Sequence, residues 1–335
     1  MDSNAKFIRF SGVLLEDMEF VRDPGWEAFR IMRRPDEDPD SRYRIDLLDE
    51  ENRVITTAHP SVTLVPACGA GQRGPRAASI IAYLPLVEHA REVVLRSGDR
   101  EVYRETIAIR PPKIRITSCK MRKGDKVKIR WEARSQDETK SLSYVVVYIP
   151  DADTAFTIAA QQSDPELVVD LSTYPGSNGA RFAVLATDGL RSSYAVSEPF
   201  EVAEHKPTVA IHEPLDGCSL PALQPVSFRG IAIEPGGKRI EDAHLSWSLD
   251  GKPLVQGRAL IVVPDVTPGK HVVRLECKSP QSGLTDSCKC SFEVAEPNEE
   301  QRRWVELLHR RVLGPSEADP RQQSSPSALT RATPA

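Results

Sequence analysis

Hydrophobic and polar residues alternate with period two along much of this chain, most clearly from Lys126 to Tyr148. Val127, Ile129 and Trp131 alternate with Lys128, Arg130 and Glu132; further on, Leu142, Tyr144, Val146 and Tyr148 alternate with Ser143, Val145 and Val147. Such alternation predicts strands with one buried face. The run SQDETKS between the arms is too charged to bury and too long for a two-residue hairpin. The arms are therefore expected to lie in different sheets or to be joined by a long loop, which predicts two stacked sheets. Trp131 has the bulk to fill the gap of about 10 Å between such layers.

The first third shows the same pattern, with strands expected around Phe7–Leu15, Arg42–Leu48, Val54–Val65, Ala77–Leu84, Glu92–Arg96 and Glu101–Arg110. Turn signals separate them: DPG at Asp23, RRPDEDPD at Arg33 and SGD at Ser97. Trp26 and Phe29 follow the DPG turn and are expected to close one end of that core. The segment PACGAGQRGPRAA, Pro66 to Ala78, combines three glycines with Arg73 and Arg76, a composition that could wrap backbone N–H groups around an anion. It lacks GK[ST] and leads into a strand pattern rather than a helix, so it reads foremost as a surface loop.

A Pro-Pro pair at Pro111 opens a second segment, and His205-Lys206-Pro207 opens a third. Their beginnings run in parallel: PPKIRIT with KPTVAIH, VKIRWEA with VSFRGIA, and LSYVVVY with LSWSLDG. This is an internal repeat of tandem units. Within the last unit, LSWSLDGKPL predicts a strand, a DG turn and a second strand.

Trp131, LSYVVVYIP from Leu142 and LSTYPGSNGARFAVLATDG from Leu171 together resemble a fibronectin type III or bacterial immunoglobulin-like domain. Where many such domains carry a tyrosine, this chain has Arg181 or Phe182, so the resemblance does not extend to the family's tyrosine-corner hydrogen bond. The third unit resembles bacterial immunoglobulin-like and polycystic-kidney-disease-type repeats. The resemblance implies an all-β chain of three tandem immunoglobulin-like β-sandwiches; the residue pattern after them predicts one C-terminal α-helix and, in the Ser-, Pro- and Gln-rich stretch without apolar periodicity that ends the sequence, a disordered tail. The expected divisions are 1–110, an immunoglobulin-like sandwich; 111–205, a fibronectin III-like one; 206–296, a bacterial Ig/PKD-like one; 297–314, an amphipathic helix; and 315–335, the tail.

After Glu296 the period changes from strand to helix. Asn298 is a candidate N-cap with Gln301 three residues on; acids fill the first turn, Arg310 and Arg311 the last, and Gly314-Pro315 is the stop. Trp304, Val305, Leu308 and Val312 make an apolar stripe on this helix. It is expected to pack back on the third sandwich, to dock on another protein or a second copy, or to touch a membrane. These four residues are the candidate binding positions, with Arg73 and Arg76 as a second set.

Composition narrows the chemistry. The formal charge of −4, from 48 acidic and 44 basic residues without a strongly basic block, argues against non-specific nucleic-acid binding. No apolar run reaches the roughly 20 residues of a membrane span. Cytoplasmic residence is expected if Met1 is the native start, and a periplasmic or extracellular one if the chain belongs to a larger exported protein. The seven histidines show no HExxH spacing, and neither a GxSxG elbow nor paired CxxC motifs occur. Cys277, Cys288 and Cys290 fall on two adjacent strand patterns, open to three readings: buried thiols, a disulfide, or part of a metal site. Loop acids at Asp137, Glu138, Asp151, Asp153 and Asp188 are too few for calcium, which takes six to eight oxygens. No cofactor is expected. Two functions remain: a non-catalytic protein-binding or scaffold protein, with another protein as partner, or, as the resemblance to tandem domains found behind bacterial catalytic domains implies, an accessory C-terminal region of a secreted bacterial hydrolase (protease or carbohydrate-active enzyme).

Overall fold

The alternating segments pair into six sheets, stacked two by two around three separate hydrophobic cores. The computed structural model describes residues 6–28, 41–65, 77–137 and 140–312. Phe29, Cys68, Arg73, Arg76, Glu138 and the tail expected at 315–335 lie outside them. The chain divides into two compact units, 1–205 and 206–335.

The first sandwich runs β1 (Phe7–Leu14), β2 (Phe20–Arg22), β3 (Glu27–Ala28), β4 (Tyr43–Leu48), β5 (Val54–Ala58), β6 (Ser61–Val65), β7 (Ala77–Pro85), β8 (Glu92–Ser97) and β9 (Arg100–Thr106). One sheet has the order β2-β1-β7-β6 with β3 beside β1; the other is β5-β4-β8-β9. Phe10 stacks on Phe20 between them, with ring centroids 5.5 Å apart. Three expectations need correction. The single strand Val54–Val65 is two strands in different sheets, because Pro60 lacks the N–H a continuing ladder needs. The strand expected over Glu101–Arg110 ends at Thr106; Ile107 then turns into the core. Trp26 does not close the core: it is half-buried beneath the Arg9 guanidinium, 4.6 Å from its ring centre.

The second sandwich runs β10 (Lys113–Met121), β11 (Lys126–Arg134), β12 (Ser143–Ile149), β13 (Phe156–Gln162), β14 (Glu166–Asp170), β15 (Ser177–Thr187), β16 (Ser192–Val196) and β17 (Phe200–Val202). Its sheets are β10-β11-β14 and β13-β12-β15-β16, with β17 beside β15, so the two arms around SQDETKS do lie in different layers. Trp131 is buried between them, edge-on to Tyr144 with ring centroids 5.3 Å apart. The Tyr148 hydroxyl, also buried, donates to the Pro175 carbonyl at 2.8 Å and ties β12 to the connection before β15.

The third sandwich runs β18 (Thr208–Glu213), β19 (Cys218–Leu220), β20 (Val226–Ile233), β21 (Leu245–Leu249), β22 (Lys252–Gln256), β23 (Leu260–Val263), β24 (Gly269–Lys278) and β25 (Thr285–Val294), and the helix α1 (Glu299–Val312) follows. Its sheets are β18-β20-β23 and β19-β25-β24-β21-β22. The sequence repeat is thus a structural one: β18-β20-β23 answers β10-β11-β14, and β21 between β22 and β24 answers β12 between β13 and β15. In the aligned pairs, Trp131 corresponds to Gly230 and Tyr144 to Trp247. The bulky indole has moved across the core to the facing sheet. A Cβ on Gly230 would lie 2.4 Å from Leu275 Cδ2 and 3.1 Å from the Trp247 ring, so glycine there makes room for the relocated tryptophan. Asp250 and Gly251 take positive φ, 50° and 77°, forming the expected DG turn.

Candidate functional site

The C-terminal helix begins where its capping signal lies. Gln301 N–H donates to Asn298 Oδ1 at 2.8 Å, and Asn298 N–H donates back to Gln301 Oε1 at 2.9 Å, a reciprocal capping box. Glu299 and Glu300 occupy the first turn, favourable at the positive end of the helix dipole. Of the candidate stripe, Val305 is half-buried, whereas Trp304 is 64% and Leu308 46% exposed. Val312 is the last helical residue. Leu307, 60% exposed, extends the apolar face; the stripe read from sequence missed it, although it sits three residues after Trp304. Trp304, Val305 and Leu308 form one wall of a groove of about 540 Å3, and Ala222 and Leu223, before β20, form the other. The third sandwich therefore borders the stripe without covering it.

The cysteines sit otherwise than as a cluster of three around Cys277. The register places Leu275 opposite Cys288, Val273 opposite Cys290 and Asp286 opposite Cys277, so Cys277 directly faces neither. Cys277 and Cys290 are buried, and burial pushes both thiols up to about 11. All three are free thiols. Among the described residues, no group of three or more His, Cys, Asp or Glu side chains is arranged to hold a metal.

Two of the loop acids serve their own loops. Asp188 Oδ1 accepts from the N–H groups of Leu190 (3.1 Å) and Arg191 (2.9 Å), and Asp151 Oδ1 accepts from Asp153 N–H (2.9 Å). The Asp188 turn has a larger role that sequence reading missed: it locks the first sandwich to the second. Leu190 is fully buried in the first sandwich's core. Arg191 pairs with the buried Glu27 at 2.6 Å and donates to the carbonyls of Ala108 and Ile109, each at 3.0 Å. Gly25 N–H donates to the Gly189 carbonyl at 2.8 Å. A Cβ on Gly25 would sit 2.2 Å from the Arg9 carbonyl, and Gly189 takes a φ of 110° that side-chain-bearing residues rarely adopt, so this close approach needs both glycines. Glu105 adds a second anchor, meeting Arg22 at 2.7 Å, Lys140 at 3.2 Å and the Tyr103 hydroxyl at 2.8 Å. Burial, reinforced by Glu105, pushes the Tyr103 phenol up to about 12, so it remains a donor.

Six sheets stacked as three sandwiches, joined in tandem and ending in a helix, make this a multidomain protein of the fibronectin type III-like and immunoglobulin-like class. No family model and no curated protein matches the chain. Among solved structures it is similar to the fibronectin(III)-like modules of Clostridium thermocellum CbhA, with 16% identity over 55% of this chain and 94% of that one and a TM-score of 0.24. Three N-terminal domains of the bacteriophage RB49 highly immunogenic outer capsid protein match with 18% identity over 55% of this chain and 58% of that one, TM-score 0.25. A complex of Dpr2 Ig1-Ig2 with DIP-Theta Ig1-Ig3 matches with 12% identity over 85% of this chain and 93% of that one, TM-score 0.27. Superpositions this loose carry no argument about function; the class rests on the strand orders above.

Proposed function

We propose that this chain is a non-catalytic protein-binding scaffold whose C-terminal helix docks an amphipathic helix of another protein. The observation that carries the reading is the uncovered apolar face of Trp304, Leu307 and Leu308 beside the groove at Ala222 and Leu223. Isolated apolar side chains on a surface need no explanation, but a contiguous set containing an exposed tryptophan marks an interaction site. The helix carries acids at its start and the exposed Arg311 near its end, so an antiparallel partner helix with an acidic N-terminal turn would match it in charge as well as shape. Trp304, Val305, Leu308 and Val312 are the proposed contact residues. Arg73 and Arg76, which lie outside the described residues, are a proposed secondary contact. The locked joint supports the scaffold role, since it holds two sandwiches at one spacing. Among the described residues no helix is long and apolar enough to cross a membrane.

The test compares the full chain with a Trp304→Ala/Leu308→Ala variant in affinity purification from the native cell, with sedimentation of each pure protein alongside. A protein retained by the first and lost by the second supports the reading, and concentration-dependent dimerisation lost in the variant would make a second copy the partner. Identical capture and identical sedimentation by the two would overturn it.

A further inference from the structure

The net charge of −4 conceals a cationic surface that the β-alternation assembles on the outer face of β10-β11-β14. The cross-strand rows on that face pair Lys113 with Arg134, Arg115 with Glu132, Lys120 with Lys128, Arg130 with Glu166, and Lys126 with Asp170. Seven of these ten side chains are cationic. Arg122 and Lys123, both exposed, extend the surface at the hairpin tip.

Two of the rows oppose like charges, Lys113 with Arg134 and Lys120 with Lys128, and directly opposed like charges destabilise an antiparallel pair. Glu166 answers Lys128 and Arg130, and Glu132 answers Arg115. Among the described residues, Lys113, Lys120, Lys126 and Arg134 have no ion pair within 4.0 Å. Folding by itself gains nothing from such rows; an anionic partner would.

The chain displays the mode of recognition on itself. Glu166 places one carboxylate oxygen 2.7 Å from Lys128 Nζ and the other 2.8 Å from Arg130 Nε, so a single carboxylate spans two cations along a strand. Same-face positions on a strand recur about every 7 Å, and an extended polypeptide presents its own alternate side chains at that same interval. The face has no exposed aromatic residue on which a base could stack. We propose that the outer face of β10-β11-β14 binds an extended acidic polypeptide segment, with carboxylates at alternate positions seated between its cationic rows. This site is independent of the helix and of the reading given for it.

The experiment titrates the full chain with a fluorescent peptide of alternating Glu and Ser, measuring anisotropy at low and at physiological ionic strength. We expect binding that weakens steeply as salt rises toward about 0.15 M. Lys120→Glu with Lys126→Glu should weaken it at least ~tenfold, whereas Glu166→Gln, which releases Lys128 and Arg130, should tighten it. Lys238→Glu with Lys252→Glu on the third sandwich changes the net charge equally and should have little effect. No binding at low salt would overturn the proposal, as would equal loss in the two charge reversals or weaker binding by Glu166→Gln. Tighter binding of oligothymidine or of phosphatidylserine vesicles than of the peptide would overturn the assigned partner class.

Discussion

Trp131 and Gly230 occupy one position of a repeated scaffold and solve the same packing problem in opposite ways. In the second sandwich the tryptophan fills the core from β11 and meets Tyr144 edge-on. In the third, Gly230 vacates that space and Trp247 fills it from β21, with its Nε1–H donating to the Arg258 carbonyl at 2.8 Å. Interiors packed at crystal-like density tolerate neither a void nor an added methyl without movement. Trp131→Ala is expected to cost about 3–5 kcal/mol, the usual range for removing a large core aromatic. Gly230→Ala should cost about 1–3 kcal/mol by overpacking against Leu275 and the Ala210 carbonyl, itself 2.8 Å from the added Cβ. Urea unfolding followed by tryptophan fluorescence checks both; a change below about 0.5 kcal/mol at either position would contradict this account.

Among the elements, the β21–β22 hairpin shows how a turn is fixed from outside itself. Asp250, in its DG turn, accepts from His271 Nδ1 at 2.8 Å and from Val272 N–H at 2.9 Å, both on β24, while His271 Nε2 donates to the Thr267 carbonyl at 2.6 Å. Burial works against the charged imidazole, but the Asp250 carboxylate and the Thr267 carbonyl together outweigh it and raise the pKa. Burial likewise opposes the Asp250 carboxylate, yet the hydrogen bonds from His271 and Val272 hold its pKa below the usual value. The histidine's contribution is therefore complete below the ordinary imidazole range and is lost as pH rises through the raised value. That of Asp250 persists above the ordinary carboxylate range and is lost only as pH falls through the lowered one. We expect the third sandwich to lose thermal stability as pH rises above the ordinary imidazole range and through the raised value, and His271→Gln to remove that loss. A wild-type melting curve indifferent to pH over this range would show that the pair does not stabilise the hairpin.

In the whole molecule, the first two sandwiches behave as one body because the Asp188–Arg191 turn of the second is built into the first. Leu190 belongs to the neighbouring core, and the Arg191–Glu27 pair is shielded from solvent, with 15% and 5% of the two side chains exposed. Removing one member of a buried pair leaves the other charge without compensation, a cost of roughly 3–5 kcal/mol. Arg191→Ala with Leu190→Ala is expected to separate the pair of sandwiches: one cooperative transition of unit 1–205 should become two, and trypsin should begin to cut around Arg110. A single unchanged transition in calorimetry would mean that the joint contributes little.

The chain's own pattern determined the strands, the DG turn and the capped helix, because each depends on residues within a few positions of one another, and the tandem repeat was legible as a likeness between two stretches of sequence. Period-two burial, positive φ at Asp250-Gly251 and the reciprocal bond of Asn298 with Gln301 are local physics. What lay beyond local reach was decided by tertiary structure. The break at Pro60 became a change of sheet only once two layers existed to receive β5 and β6. Cys277 came to face Asp286 because register, not spacing, sets cross-strand neighbours. The joint pairs Gly25 with Gly189 and Glu27 with Arg191, residues far apart along the chain whose side chains carry no mark of one another. The cationic face was present as ordinary strand alternation, and it became a surface only when β10, β11 and β14 aligned their outward residues in rows. Whether the helix stripe would be covered was equally undetermined, since amphipathicity specifies that a face is apolar and the surrounding fold specifies what lies against it.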